Sequence, residues 1–412
     1  MFFKIDPLLK LLQKYSGLDL SYFIKGGFWL SIGQISSTLK AFILSLAFAN
    51  LLSKEIFGQY SFVIATIGLA SSFALPGMSY AIIQSIARGY DGTYFKALKQ
   101  VFRWSWLGSL FLLSIAIYGK FSGRIYGAII FLIVASIFPF YSFKSYYSTL
   151  LQGKKRFDVF AKVTSLINIV SMLSIILAVL LTKNLFWIII ATVFIDVILS
   201  GYFTLFYVKK YIHNDKIEED SIKFGKRVSF SLTFSNIANY FDSLLIAYFL
   251  GFSDLAIFKI VTLLPNQIKV LINTFTPMLL PKMASENIQK KDLTKHFKKL
   301  FLIVIFLILI YLLIAPFIFK WFYPKYYDYV WLSMIYHLSF VVVLYILPLN
   351  YLIKEKKESL INKFYNCSAA LLIFLSLTGI YFYGLLGAIV ARILYRLFLL
   401  FITFLFFLKY CE

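Results

Sequence analysis

The residues best placed to do chemistry in this sequence are polar side chains inside apolar segments. Between residues 254 and 281 they recur at steps of 3, 4, 3, 4 and 3, as Lys259, Thr262, Asn266, Lys269, Asn273 and Thr276. In a helix this spacing places all six on one face. Pro265 and Pro277 can bend such a helix and free backbone carbonyls toward that face. Polar residues also join membrane helices as a structural seam, but two lysines without an acid on the same segment favour an anion-attracting wall.

A further buried charge is predicted at Lys40, about halfway along the apolar segment 28–50. A charge in hydrocarbon costs ~2.5–3.5 kcal/mol, and a side chain at this depth is too far from either end to reach water easily. Gly33, Ser36 and Ser37 continue a polar face at helical spacing. Lys40 is therefore interpreted either as lining an aqueous cavity or as one half of an ion pair with a helix from the other half of the chain.

Two acids lie within apolar segments and each has two interpretations. Asp242 follows Ser231, Ser235 and Asn239 on one face, and Asp196 shares a face with Thr192 and Ser200. Asp242 is the counter-ion of Lys40 or of a lysine in 254–281, or else it binds a coupling proton or sodium ion. Asp196 has the same alternatives.

The remaining cations are Arg392 and Arg396, one helical turn apart, with Lys144 and Arg88 near segment ends. The two arginines offer planar forks to a diphosphate, or pair with Asp196, or bind lipid headgroups. Lys144 lines the same cavity or extends to the headgroups, and Arg88 either meets an arriving anionic headgroup or only marks the membrane edge. The cations outnumber the acids, so the predicted site binds an anion.

The pattern does not indicate an enzyme. Nucleophile–base pairs, glycine-rich phosphate loops and carboxylate dyads are missing from the sequence. The three histidines and the two cysteines, Cys367 and Cys411, are too few and too scattered for a metal site or a disulfide framework. No cofactor is expected, apart from a coupling H⁺ or Na⁺.

The elements that must position these residues are membrane-spanning helices, since 61% of the residues are hydrophobic and only 14% are charged. The sequence predicts an all-α integral membrane protein of about twelve spans. These are α1 (28–50), α2 (57–83), α3 (102–118), α4 (125–149), α5 (160–182), α6 (184–208), α7 (228–250), α8 (254–281), α9 (300–319), α10 (327–350), α11 (360–382) and α12 (385–408).

The basic residues predict an orientation. Of the 41 Lys and Arg, 29 fall in the termini, in the connections after even-numbered spans or in the first four residues after those connections, and 6 fall in the turns after odd-numbered spans. The positive-inside rule then places both termini in the cytoplasm, in a multi-pass protein of the inner membrane. This distribution, rather than nucleic-acid binding, accounts for the net charge of +23. No cleaved signal peptide is expected in residues 1–27, and α1 serves as the insertion signal.

An internal repeat is expected at an offset of 198 residues. Residues 45–62 and 243–260 each end one helix, turn through a short polar segment and re-enter with a small residue two before an aromatic. Six spans separate the copies, so the halves have the same orientation, as in transporters that bind substrate between parallel repeats. The predicted parts are a cytoplasmic segment 1–27, an N-lobe 28–208, an inter-lobe loop 209–227, a C-lobe 228–409 and a tail 410–412, with a central cavity between the lobes.

Several segments resemble the Wzx-type polysaccharide flippases of the MOP superfamily. They are LLSKEIFGQYSFV (51–63), LPGM (75–78), IQSIARG (83–89), NYFDSLLIAYFLG (239–251) and TPMLLPKMAS (276–285). The resemblance implies two six-helix lobes around a central cavity and export of undecaprenyl-pyrophosphate-linked sugar units for O-antigen or capsule. Membrane lipids, a polysaccharide polymerase and a chain-length regulator are the other implied partners. The related lipid II flippases have fourteen spans, and this chain has room for twelve.

Three other functions are alternatives on the same sequence. A MATE-type ion-coupled exporter of cations or drugs predicts a more acidic cavity. A membrane polysaccharide polymerase or glycosyltransferase predicts a large external loop, whereas the external turns here are short. A structural subunit predicts polar stripes that pair with one another and leave no cavity.

Overall fold

The computed structural model describes residues 20–274, 290–345 and 358–410, with side chains over 26–270, 300–345 and 366–406. All the regular structure in these ranges is helical. The helices of the first half are α1 Leu20–Leu51, α2 in two pieces (Lys54–Ser71 and Met78–Ala87), α3 Thr93–Phe121, α4 in two pieces (Ile125–Tyr141 and Tyr146–Gly153), α5 Phe157–Thr182 and α6 Leu185–Tyr211. Those of the second half begin with α7 Glu219–Phe249, α8 Phe252–Thr274, α9 Lys290–Phe322 and α10, which consists of 3₁₀ Pro324–Tyr329, α Val330–Leu338 and 3₁₀ Ser339–Tyr345. The last segment, Glu358–Tyr410, contains α11 (358–383) and α12 (385–410) on either side of Gly384.

The helices run back and forth between two ends of the bundle. We call the end with the short connections, such as 52–53, 183–184 and 250–251, the turn face, and the opposite end the loop face. Eight described helices are long and apolar enough to cross a membrane, and one of them, Asn366–Phe406, spans α11 and α12. The other spans are α2, which is broken, and α7 and α8, whose polar side chains lower their hydropathy.

The α11–α12 connection is a hairpin around Gly384, whose φ of 56° lies in the left-handed region that favours glycine. On either side of it, Gly379 and Gly387 bring the two backbones together. A Cβ added at Gly387 would lie 1.8 Å from the Gly379 carbonyl oxygen. The predicted division of this segment at 382–386 therefore agrees with the described helix.

The prediction of an unbroken α2 is wrong, because the helix stops after Ser71 and resumes at Met78. Pro76 disfavours helical geometry at the residue before it, and Leu75 takes a φ of 53°. The freed N–H of Gly77 donates to Ser229 Oγ of α7 at 3.0 Å. The break therefore gives α7 a hydrogen-bonding partner on α2.

Helix α4 covers the predicted span, but a turn interrupts it near its end. Pro139 has no N–H, so the carbonyl of Ala135 loses its helical partner. The hydroxyl of Ser109 on α3 donates to that carbonyl instead. Helix α4 ends at Tyr141 and resumes at Tyr146, and the intervening turn carries Lys144.

Helix α7 contacts both halves of the chain. It begins at Glu219, within the predicted inter-lobe loop, and its first half packs on α2: Thr233 Oγ1 donates to the Ser72 carbonyl at 2.8 Å. Its second half packs on the C-lobe, where Ala238 shares a buried cluster with Ala369 and Leu372. The polar face of α7 thus lies at the contact between the two halves.

The two predicted repeat copies meet at the turn face. Gly58 on α2 lies against the backbone of Phe252 at the start of α8, so closely that a Cβ at Gly58 would lie 1.7 Å from the Phe252 carbonyl oxygen. Around this contact, Leu44 and Phe48 of α1 join Leu255 and Phe258 of α8 in one buried core. At this end of the molecule, the two halves therefore share a hydrophobic core.

Candidate functional site: a cationic cavity between the halves

A cavity of about 450 Å³ lies between the two halves of the chain. Its walls are α1 from Ser37 to Phe48, α2 from Phe57 to Ala65, Asn168 of α5, Tyr240 of α7 and α8 from Lys259 to Leu263. Lys40 and Lys259 contribute one positive charge from each half. The described lining contains no carboxylate, and we refer to this space as the cationic cavity.

Lys40 is anchored within its own half. Its ammonium donates to Ser171 Oγ on α5 at 2.8 Å and lies 3.6 Å from Asp196 Oδ1 on α6. The alternative of an ion pair with the other half is therefore wrong, because the acid near Lys40 is in the N-lobe. With its side chain 19% exposed and in the cavity wall, Lys40 keeps access to the cavity.

The polar face beside Lys40 continues as a hydrogen-bonded contact between α1 and α5. Asn168 Nδ2 donates to Ser36 Oγ at 2.9 Å and to Ser37 Oγ at 3.0 Å. Because neutral groups satisfy one another here, the lysine ammonium remains the charged group of this wall. Asn168 and Ser171 were not predicted from the sequence as parts of the site, although both lie on α5 at a spacing of three.

Lys144 does not extend toward the headgroups as one interpretation proposed. From the turn that breaks α4, its ammonium lies 4.1 Å from the centre of the Tyr141 ring and donates to that residue's hydroxyl. It is not part of the described cavity lining. It interacts electrostatically with Lys40 and with Asp196, so it adds positive potential behind the wall.

Asp242 pairs with Arg392, and not with Lys40 or directly with a lysine of α8. Its carboxylate is fully buried and accepts a hydrogen bond from Arg392 Nε, and Arg392 Nη2 donates to the Asn239 carbonyl at 2.8 Å. The pairing of Arg392 with Asp196 is also wrong. An ion that coupled transport through Asp242 would first have to displace this guanidinium.

Lys259 reaches the same pair through a hydroxyl. Its ammonium donates to Ser243 Oγ at 2.8 Å, and that hydroxyl lies 3.3 Å from Asp242 Oδ1. Lys259 therefore lies at the cavity wall without a direct ion pair among the described residues. Ser243 was not singled out from the sequence because it is one residue off the polar face that includes Asp242.

Arg396 is held by neutral groups. Nη1 donates to Ser339 Oγ at 2.8 Å, Nη2 donates to Asn266 Oδ1, and the guanidinium lies 4.6 Å from the Tyr336 ring centre. Tyr336 also donates to Asn266 Oδ1, at 2.9 Å. The amide of Asn266 is thus used to orient Arg396, and no carboxylate within the described residues neutralises this charge.

Of the other polar residues predicted on one face of α8, Lys269 has a described side chain, whereas Asn273 and Thr276 do not. The Lys269 ammonium makes no ion pair or hydrogen bond to a described side chain, and Arg396 and Arg392 act on it electrostatically. Asn273 and Thr276 fall outside the residues whose side chains are described. Asn266 and Lys269 are not part of the described lining of the cationic cavity, which ends on α8 at Leu263.

Arg88 lies at the loop face, away from the cavity. It pairs with Glu218 at 3.0 Å and donates to Ser221 Oγ at 3.0 Å, both just before or within α7. Nearby, buried Asp91 accepts hydrogen bonds from the ammonium of Lys154 at 2.7 Å and the backbone N–H of His213 at 3.1 Å. These contacts attach the inter-lobe connection to the end of α2, and Arg88 is one of the residues that make them.

A latch of reciprocal contacts closes the turn face. Asn50 Nδ2, near the end of α1, donates to the Phe322 carbonyl at the end of α9 at 2.9 Å. In return, Lys325 Nζ donates to the carbonyls of Asn50 at 2.8 Å and Leu52 at 3.2 Å. Asn50 of α1 thereby satisfies a C-terminal carbonyl of α9, and Lys325 at the start of α10 satisfies two carbonyls at the end of α1, all of which would otherwise lack partners. We call Asn50 and Lys325 the turn-face latch.

Described residues hold no group of three or more metal-binding side chains. The sequence profile of a family described as "Polysaccharide biosynthesis protein" matches residues 23–286, more than half of the chain. The chain belongs to this family. No curated protein matches the sequence significantly. Its family membership and its long apolar helices make the chain a multi-pass membrane protein of polysaccharide biosynthesis.

Solved structures confirm the fold of this polysaccharide biosynthesis protein. "Lipid II flippase MurJ, inward closed conformation" superposes with a TM-score of 0.71 at 15% identity, covering 92% of this chain and 87% of that one. "Crystal structure of MATE in complex with MaD5" gives 0.66 at 13% identity, covering 94% and 95%. A MOP superfamily transporter from Pyrococcus furiosus, described by the "reverse polarity of binding pocket", gives 0.61 at 14% identity, covering 96% and 97%. The predicted membrane fold of about twelve helices is confirmed.

Proposed function

We propose that this protein flips undecaprenyl-pyrophosphate-linked oligosaccharides from the cytoplasmic to the periplasmic leaflet of the inner membrane by alternating access, for surface polysaccharide synthesis. The observation that carries the proposal is the cationic cavity, in which Lys40 and Lys259 face one space from opposite halves and no described lining residue is acidic. A diphosphate placed between them would contact both halves at once. Family membership in polysaccharide biosynthesis supports a sugar-bearing substrate.

The closed turn face supports an order of events. With the loop face cytoplasmic, as the basic residues predict, the latch and the shared core close the periplasmic side of the cavity. The headgroup enters from the cytoplasm and meets Lys40 and Lys259, while the polyprenyl chain stays in lipid. Movement of the two halves about the cavity then opens the turn face and releases the headgroup outside.

The aromatic residues of the cavity suit the sugar portion of such a substrate. Tyr60 and Tyr240 line it together with Phe48 and Phe57. Aromatic faces pack against the apolar faces of sugar rings, and tyrosine hydroxyls can hydrogen-bond their hydroxyl groups. We assign no specific sugar to these residues, since flat aromatic contacts accept many rings.

A MATE-type exporter of cationic drugs is the main rival. It requires a cavity that attracts positive charge, and the charges at Lys40 and Lys259 repel it. The rival and the proposal therefore make opposite predictions for substrates of opposite charge.

The test reconstitutes the purified protein in liposomes with a fluorescent polyprenyl-pyrophosphate disaccharide, and follows the fraction of the label that an impermeant quencher can reach. We expect accelerated flipping by the wild type, a loss of at least about tenfold in Lys40→Ala and Lys259→Ala, and no loss in Lys120→Ala, which removes an exposed lysine outside the cavity. Unchanged flipping in both cavity variants contradicts the proposed binding site. Transport of a cationic dye without lipid flipping would establish the rival.

A further inference from the structure

Asp196, the carboxylate beside Lys40, has an oxygen that could accept a hydrogen bond from the Lys40 ammonium. Asp196 Oδ1 is buried and accepts no hydrogen bond from any described residue, and it lies 3.6 Å from the Lys40 ammonium. Buried carboxylate oxygens normally accept hydrogen bonds, so an unsatisfied one is an exception that needs a reason. The group that could satisfy it with a small movement is the same ammonium that lines the cavity.

Lys40 meanwhile uses only part of its hydrogen-bonding capacity. An ammonium has three N–H donors, and among the described residues one is taken by Ser171 Oγ at 2.8 Å. The side chain is partly exposed in the cavity wall, so a remaining N–H can serve either an anion there or Asp196. Ser171 holds the ammonium between these two acceptors.

The other charged group near this pair is also a cation. Lys144, on the α4 turn, acts electrostatically on both Lys40 and Asp196. Asp196 also acts electrostatically on Tyr60 of α2 and Tyr147 of α4. Lys144 therefore remains an electrostatic partner of Asp196 when Lys40 turns away from it.

We propose that Asp196 competes with the anionic substrate for Lys40 and so promotes substrate release. This inference rests on the proposed function. In the empty protein, Lys40 is attracted to Asp196. A diphosphate in the cavity draws the ammonium away, and recapture of that ammonium by the carboxylate weakens the hold on the diphosphate when the turn face opens. Asp196 is on this view a positioning residue that acts through Lys40 and does not touch the substrate.

The test measures binding and turnover separately. Inorganic pyrophosphate is the binding probe, titrated into the purified protein in detergent, and flipping of the fluorescent polyprenyl-pyrophosphate disaccharide in liposomes reports turnover. Asp196→Asn should bind pyrophosphate at least about tenfold more tightly, because removing a carboxylate a few ångströms from the ammonium strengthens its attraction for another anion. It should also flip the lipid more slowly at saturating substrate. Asp196→Glu should behave like the wild type, and Asp328→Asn controls for loss of an exposed acid.

A double-mutant comparison guards against misfolding of a single variant. Ser171→Ala removes the group that holds Lys40 away from Asp196, so it should weaken pyrophosphate binding in the wild-type background and have little effect in Asp196→Asn. Equal effects of Ser171→Ala in both backgrounds overturn the inference. So does pyrophosphate binding that Asp196→Asn leaves unchanged or weakens, while wild-type binding and flipping stand. Absence of saturable binding by the wild type instead removes the anion site of the proposed function, and the inference with it.

Discussion

Asp242 and Arg392, 150 residues apart in the sequence, form a buried ion pair in which the guanidinium also donates to the Asn239 carbonyl. Lys259 joins this pair through the Ser243 hydroxyl. The pair links α7 to α12 beside the cationic cavity. Asp242 is the only acidic residue in the predicted membrane segment of α7, residues 228–250. Arg392 is therefore the counter-ion of Asp242, whereas Lys259 and Arg396 have no ion pair with a described carboxylate.

This pairing predicts a specific rescue. Asp242→Asn leaves a buried guanidinium unpaired, which should lower stability by about 3–5 kcal/mol. Asp242→Asn combined with Arg392→Gln should recover much of the loss, whereas Asp242→Asn combined with Lys40→Gln should not. Thermal unfolding of the purified variants in detergent measures this, and rescue by the Lys40 change would contradict the pairing.

Substitutions of Lys269 and of Arg396 should have different effects on lipid flipping and on thermal stability. Lys269 has no polar partner among the described side chains, so Lys269→Gln should keep the thermal stability of the wild type but reduce lipid flipping. Lys269→Glu should reduce it further, since a carboxylate repels a diphosphate. Arg396→Gln should lower thermal stability by about 1–3 kcal/mol, because it leaves the hydroxyl of Ser339 and the amide of Asn266 without this donor. Melting curves and flipping rates for the three variants decide the point.

The turn-face latch predicts a shift in accessibility. Lys325→Ala removes donors to two carbonyls at the end of α1, so the turn face should open more often. The reporter is Ser61→Cys, which lies in the cavity wall, in a background with Cys367 and Cys411 replaced by alanine. Labelling by an impermeant thiol reagent added outside intact cells should be several-fold faster with Lys325→Ala. The matched control, Lys320→Ala, removes an exposed lysine from the end of α9 and should label at the reference rate.

Gly58 should tolerate no side chain when the turn face is closed. A Cβ there would lie 1.7 Å from the Phe252 carbonyl oxygen, so Gly58→Ala should hold the turn face apart and reduce flipping. Alanine by itself favours helix formation, and the loss would therefore come from the contact and not from the helix. Gly201→Ala on α6 is the control, since nothing lies within 4 Å of a Cβ built there. Equal flipping by the two variants argues against close approach of α2 and α8 during transport.

The predicted orientation has a direct test. Reporter fusions after residues 54, 120 and 183 should be active only on the periplasmic side, and fusions after 155 and 215 only in the cytoplasm. The physical reason is the concentration of lysine and arginine at the loop face. A cytoplasmic reading at any of the three turns would require a different arrangement of spans.

Hydropathy and spacing were sufficient to predict the helical fold and most of the spans. The breaks in α2 and α4 were harder, because a proline inside an apolar segment can also be tolerated in a continuous helix. The break near Pro139 is stabilised by the hydroxyl of Ser109, which donates a hydrogen bond to the Ala135 carbonyl that the proline leaves without a partner. That partner lies on another helix and has no local signal in the sequence.

The sequence by itself determined which residues carry buried charge, and that cations exceed acids among them, because composition and helical period suffice for both. Only the tertiary structure decided which charges neutralise each other. Lys40 lies near Asp196 and Asp242 pairs with Arg392, although several other pairings satisfy the same sequence. Electrostatic attraction in a low dielectric acts over a few ångströms between particular atoms. Helix packing sets those distances, and it leaves Lys40 and Lys259 facing one cavity.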